Sequence, residues 1–127
     1  MPHIVFEATP FIGRRLDFQA LALPLHRRLD QLGYARLDDL KSRLHVGDAA
    51  LAGADPDAEF LVARLLLTNP RSDDMKRAMA REIHDAMCAA VRPLAGTRWW
   101  QCCVLTETHD KTLYQKTDSH AAPGLPG

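Results

Sequence analysis

The order strand, proline-containing turn, helix, strand occurs twice along this chain, and no other feature narrows the fold so far. The first copy starts with Ile4, Val5 and Phe6, a strand over about residues 3 to 8 closed by Thr9-Pro10 and Gly13. Asp17 stands where it would N-cap a helix reaching about Leu32, with Leu21, Leu25, Leu29 and Leu32 at helical spacing and Gly33 as its C-cap. Pro24 falls inside that span, so the helix either kinks there or begins near it. LDDLKSRLHVGD, residues 37 to 48, then alternates with period two. Leu40, Ser42, Leu44 and Val46 share one face; Lys41, Arg43 and His45 share the other. A Gly-, Ala-, Asp- and Pro-rich loop over residues 47 to 57 separates this copy from the next.

The second copy opens with EFLVARLLLT, residues 59 to 68, a nearly continuous apolar strand. Asn69-Pro70-Arg71 forms the turn, and Ser72 caps a long helix with Asp73 and Asp74 in its first turn, where the dipole favours negative charge. Met75, Met79, Ile83, Met87 and Val91 are its buried stripe, and Pro93 with Gly96 ends it. WWQCCVLTET, residues 99 to 108, is the fourth strand, and LYQ at 113 to 115 offers one more short strand. The expectation is an α/β (α+β) fold: two fused β-α-β units, a four-stranded sheet, and two helices on one face. A single domain over 1–120 is expected, with halves about 2–57 and 58–118, followed by a flexible C-terminal tail at 121–127. The strands at 59–68 and 99–108 are apolar on both sides, a pattern that asks for both sheet faces to be covered. Two helices cover one face, so a second subunit is expected on the other.

The 16 basic and 16 acidic side chains cancel, which gives no reason to expect a nucleic-acid or membrane-surface partner. No basic-then-apolar leader is evident and no apolar run approaches about 20 residues, so a cytoplasmic protein is expected, neither secreted nor membrane-spanning. Three cysteines, Cys88, Cys102 and Cys103, are the wrong arithmetic for a disulfide scaffold and suit a reducing compartment. Cys102 and Cys103 point to opposite sheet faces and read as core fillers. None of the six histidines forms a close-spaced ligand pair, so no metal is expected. Arg64, inside an apolar strand, reads as a member of an interface ion pair.

One feature of the N-terminus is left over. In MPHIVFEATP a proline sits directly behind the initiator methionine at the head of a strand, where it is tolerated though rarely wanted. A small second residue permits removal of Met1, leaving Pro2 as a free secondary amine. Together Pro2, the strand K-S-R-L-H at 41–45 and the turn N-P-R-S at 69–72 resemble the tautomerase superfamily, specifically its 5-carboxymethyl-2-hydroxymuconate isomerase branch. Members of that branch begin Met-Pro-His, carry an R-S-R-x-H strand after the first helix, and have Arg-Ser leading into the second helix. The resemblance spans about residues 2 to 118 and rests on the order and separation of these motifs, none of which is specific alone. It implies a homotrimer of fused β-α-β units with an active site around each N-terminal proline. It also implies cofactor-independent isomerisation of an unsaturated hydroxy-diacid to its keto form during homoprotocatechuate breakdown. On that resemblance Pro2 is the catalytic base and Lys41, Arg43 and Arg71 bind a small anionic substrate; His45 also matches. Lys41 replaces the family arginine, keeping the charge but losing the planar fork that grips a carboxylate twice, which leaves the exact substrate open.

The chemistry suits such an amine. Tautomerisation needs a base that takes a proton from a conjugated acid and returns it elsewhere. A free α-amino group titrates near ~7.7–8.0 and a secondary amine higher, so an unperturbed Pro2 would be protonated and inert. Apolar neighbours, such as Ile4, Phe6 and the Trp99-Trp100 pair, or nearby cations would lower its pKa towards the working pH. The same cations would stabilise a developing dienolate, a task worth roughly a few kcal/mol per well-placed donor. Two alternatives stand beside this. One is a tautomerase-fold protein acting on a different keto-enol acid. The other is a non-catalytic oligomer that binds small anions or a partner, which retention of Met1 would favour.

Overall fold

The computed structural model describes residues 1–119, so the tail expected at 121–127 lies outside the described residues. β1 (His3–Ala8) runs through the middle of a four-stranded sheet of order β2-β1-β3-β4. β2 (Lys41–Val46) pairs with it in parallel, β3 (Glu59–Leu67) pairs antiparallel on the other side, and β4 (Trp100–Thr108) lies parallel to β3 at the far edge. Each half therefore contributes one parallel pair, whose strands must be joined by a crossover helix. The halves meet at the antiparallel β1–β3 seam.

The crossovers are α2 (Phe18–Gln31) and α3 (Asp73–Ala95), and both pack on the same sheet face. Ile4, Phe6 and Ala8 of β1, with Leu61, Ala63, Leu65 and Leu67 of β3, form the floor of the core. Leu21, Leu25 and Leu29 of α2 and Met79, Ile83, Met87 and Val91 of α3 cover it, so the expected stripes are buried except at their ends, where Leu32 is exposed at the C-cap of α2 and Met75 is half-buried. Asp17 caps α2 by accepting the Ala20 N–H at 3.1 Å, and Ser72 caps α3 by accepting the Met75 N–H at 3.1 Å.

Several boundaries differ from the sequence reading. A third helix, α1 (Pro10–Arg15), stands where the sequence suggested a turn. Proline at its first position has a φ already suited to a helix. Gly13 lets it lie close to the sheet, since a Cβ there would come within 2.7 Å of Val46 Cγ1. α2 continues through Pro24, which therefore does not mark its start. The strand expected from residue 37 begins at Lys41; Leu37–Asp39 form a 3-10 helix instead, with Asp30 Oδ1 accepting the Leu37 N–H at 3.1 Å. The short strand expected at 113–115 is absent too. Lys111–Leu113 form a 3-10 helix, capped by Asp110, which accepts the Thr112 N–H at 2.9 Å.

β3 is buried at every second residue, so its apolar run hides strict alternation between a covered face and an open one. The open face carries His3, Val5 and Glu7 of β1, Arg43 and His45 of β2, Phe60, Val62, Arg64 and Leu66 of β3, and Cys103, Leu105 and Glu107 of β4. Arg64 pairs there with Glu107 of the same chain at 2.8 Å, a bond that holds the Glu107 carboxyl below its usual range. Cys102 and Cys103 do point to opposite faces. Cys102 turns toward the helices, where burial first, and then neighbouring Cys88, push its thiol up to about 12.

Candidate active site

The antiparallel seam decides what surrounds the N-terminus. His3 lies opposite Leu66, so the same register carries residue 1 to the level of Thr68. There the terminal ammonium of Met1 donates to Thr68 Oγ1, and both residues are nearly sealed from solvent. Pro2 is buried beside them, and its carbonyl continues the β1–β2 ladder by accepting the Lys41 N–H at 3.2 Å. Tyr114, brought over the same end of the sheet by the turn after β4, directs its hydroxyl at Met1 Sδ, 3.8 Å away.

The electrostatics of this end are one-sided. Burial is the largest influence lowering the pKa of the terminal amine, and the charges of Arg71, Lys116 and Lys41 push the same way; Asp39 opposes them. Arg71 reaches in from the turn before α3. Its Nε and Nη2 donate to the Tyr34 carbonyl at 3.4 and 3.3 Å, and its Nη1 donates to the Asn69 carbonyl at 3.3 Å. Lys41 Nζ donates to the carbonyls of Asp38 and Asp39, each at 3.3 Å. Beside them opens a cleft of about 720 Å³, bordered by Met1, Arg36, Asp39, Thr68, Asn69, Lys111, Tyr114, Gln115 and Lys116. Three positive side chains face one carboxylate in that lining.

Pro2, Lys41 and Arg71 are thus gathered at one end of the sheet. None of the three borders the cleft itself, and Arg43 sits two residues farther along β2 than Lys41, opposite Val5, with its Nη1 3.2 Å from His3 Nδ1. Burial first, then Arg43, Lys41 and the terminal amine, lower the pKa of His3. Arg43 and His45 border a separate depression of about 590 Å³ on the open sheet face, together with Glu7 and Arg64. The tryptophan pair is the clear misplacement. Trp100 lies opposite Glu59, at the far end of the sheet from Pro2, with the Arg92 guanidinium 5.4 Å from its ring.

Thr68, Asp39, Tyr114 and Lys116 are members of this site that sequence reasoning missed. Thr68 becomes visible only once the β1–β3 register is known. Tyr114 was hidden by reading its segment as a strand, although two lysines flanking a tyrosine after the last strand were a usable signal. Among the described residues no group of three or more His, Cys, Asp or Glu side chains is placed to hold a metal ion.

A family model described as 5-carboxymethyl-2-hydroxymuconate isomerase matches residues 2–122. The chain belongs to the 5-carboxymethyl-2-hydroxymuconate isomerase family. That bears out the resemblance carried by Pro2 and the segments at 41–45 and 69–72. A crystal structure of a 5-carboxymethyl-2-hydroxymuconate delta-isomerase superposes with a TM-score of 0.75 at 18% identity, covering 93% of this chain and 89% of that one. A 5-carboxymethyl-2-hydroxymuconate isomerase from Deinococcus radiodurans R1 gives 0.68 at 18% identity, covering 93% and 90%. A fused 4-OT wild-type symmetric trimer gives 0.66 at 19% identity, covering 98% and 94%. No curated protein sequence matches. At these identities the structural likeness establishes the tautomerase-like fold, a four-stranded mixed sheet with three helices. Membership of the isomerase family supports a tautomerase-type isomerase. Among the described residues no helix is long and apolar enough to cross a membrane.

Proposed function

We propose that this protein is a cofactor-independent tautomerase whose base is the nitrogen of Pro2, exposed when Met1 is removed. The observation that carries this reading is the buried N-terminal amine facing Arg71, Lys116 and Lys41, which together hold it toward its neutral form. Removing Met1 leaves the Pro2 nitrogen beside the same charges. The neutral amine takes a proton from one end of the conjugated enol, the negative charge spreads over the dienolate, and the resulting ammonium returns the proton to carbon as the keto group forms. Lys41 and Arg71 bind the substrate carboxylates and stabilise that charge. Arg43, held against His3, positions the strand that presents Lys41.

The substrate is an unsaturated hydroxy-diacid resembling 5-carboxymethyl-2-hydroxymuconate, in the cytoplasmic catabolism of aromatic compounds. The assembly is a homotrimer that covers the open face of the sheet, where Leu105 is exposed and Val62 and Leu66 are half-buried beside it. One observation favours a different keto-enol acid. Lys41 offers a single charge anchored on the carbonyls of Asp38 and Asp39 rather than a two-pronged fork.

The test is direct. Protein shown by intact mass to lack Met1 is assayed against hydroxymuconate-type diacids, alone and as Pro2→Ala. Loss of a positioned base is expected to cut the rate by about 10²–10⁴-fold. A Pro2→Ala variant working at the parental rate would refute the base assignment.

A further inference from the structure

α3 is the crossover between the parallel strands β3 and β4, so it runs opposite to β4. Two contacts fix how the helix and the strand are aligned. The Arg92 guanidinium lies 5.4 Å from the Trp100 ring, and Lys76 and Ala80 line one depression with Thr106 and Thr108. Four residues of helix rise about 6 Å and two residues of strand about 6.6 Å, so the alignment advances in step. One turn before Arg92 stands Cys88, and two residues beyond Trp100 stands Cys102. One thiol is thereby set against the other. Their proximity shows in the Cys102 thiol, which burial raises most and Cys88 next, with Arg92 opposing.

Cys88 also carries a base on its own helix. His84, one turn earlier, holds its Nε2 3.5 Å from Cys88 Sγ, and Asp85 Oδ1 lies 3.6 Å from His84 Nδ1. A neutral imidazole so placed takes the thiol proton, and the carboxylate then faces a positive ring. Cys88 is half-buried and His84 is exposed, which lets a small solute reach the sulfur. Cys102 differs. Pushed up to about 12, its thiol keeps its proton at neutral pH and does not attack first.

We propose that Cys88 is a peroxide-reactive thiol and that Cys102 resolves it, closing a reversible disulfide between α3 and β4. His84 takes the Cys88 proton, and the thiolate attacks one oxygen of a hydroperoxide. The S–O bond forms as the O–O bond breaks; the departing oxygen collects the proton from His84 and leaves as water or an alcohol. Sulfur has given two electrons to the peroxide and stands as a sulfenic acid. The Cys102 sulfur then attacks the Cys88 sulfur, the S–S bond forms and the S–O bond breaks. Hydroxide leaves with the Cys102 proton as water. A thiol reductant restores both cysteines by exchange, so a transient bond of this kind is compatible with a reducing compartment. The site lies on the helix side of the sheet and does not rest on the assignment of Pro2.

The experiment uses the full, reduced chain and hydrogen peroxide in small excess. Peptide mapping by mass spectrometry should find Cys88 joined to Cys102, in a product lighter by two hydrogens, and dithiothreitol should reverse it. Cys103→Ser should form the same bond at the parental rate. Cys102→Ser should instead accumulate a sulfenic acid at Cys88, which dimedone traps. His84→Gln should slow the oxidation about tenfold, because an unassisted thiol is only a few per cent thiolate at neutral pH. A parent whose Cys88 stays reduced, a bond that forms to Cys103 instead, or an unchanged rate in His84→Gln overturns the proposal. Mapping the parent needs no variant, so the proposal is tested even where a substitution unfolds the chain.

Discussion

The Thr9 hydroxyl donates to Glu59 Oε1 at 2.7 Å, joining the residue after β1 to the first residue of β3 through a carboxylate that is nearly sealed from water. The same oxygen accepts the Ile12 N–H at 3.1 Å inside α1, and Oε2 accepts from Arg98 Nη1 at 3.3 Å. One buried charge thus fastens α1 and the loop before β4 to the seam between the halves. Glu59→Ala strips three donors of their acceptor, and a broken buried pair of this kind costs about 3–5 kcal/mol. Urea unfolding at fixed protomer concentration should show a loss of that order. A loss under about 1 kcal/mol would mean water replaces the carboxylate without penalty.

The amine at the end of β1 gives a pH prediction. Only its neutral form accepts a proton, so kcat/KM should rise with pH through the Pro2 pKa and level off above it. Burial and the charges of Arg71, Lys116 and Lys41 act to lower that pKa, so the inflection should fall below the ordinary ~7.7–8.0 of an α-amino group. Added salt weakens the part due to charge and should move the inflection upward. A profile with its acid limb above pH 8, unmoved by salt, would contradict this.

Much of this was legible in the residues, and the reasons differ by element. Leu21, Leu25 and Leu29, and the stripe from Met79 to Val91, disclose their helices because burial on one side imposes a period near 3.6. Pro2, the segment at 41–45 and the turn at 69–72 disclose the family, since spaced polar residues carry information that a core does not. What stays hidden depends on pairing. Nothing in the sequence says that β1 and β3 run antiparallel, so neither Thr68 beside Met1 nor Trp100 at the opposite end could be placed. Leu37–Asp39 and the segment at 113–115 read as strand because alternating polarity over a few residues is shared by strands and 3-10 turns.

Arg71 separates charge from geometry. Its guanidinium bridges the Tyr34 and Asn69 carbonyls, tying the loop after α2 to the turn before α3, while its charge bears on the N-terminal amine. Arg71→Lys keeps the charge and loses the bridge; Arg71→Ala loses both. The alanine variant should lower kcat/KM by about 10²-fold and shift the acid inflection upward, since a repelling charge is gone. The lysine variant should leave the inflection near the parental value with a smaller loss of rate. Equal inflections in both variants and the parent would remove Arg71 from the electrostatics of the base.

His26 supplies a pH dependence of stability rather than of rate. Its Nε2 lies 2.6 Å from Ser42 Oγ, across the contact between α2 and β2, and burial lowers its pKa in the folded chain. Above about pH 6.5 the imidazole is neutral in both folded and unfolded states, and the protein keeps the full benefit. As the pH drops below about 6.5 the unfolded state takes up the proton first, so stability declines until the folded residue also protonates. His3, lowered by burial and by Arg43, adds to the same slope. Urea unfolding at several pH values between 7 and 5, at one protomer concentration, should therefore show stability falling toward acid. His26→Gln keeps a hydrogen-bonding group near Ser42 without a titrating nitrogen and should flatten that slope. If the variant loses stability toward acid as steeply as the parent, the proton uptake belongs to other groups.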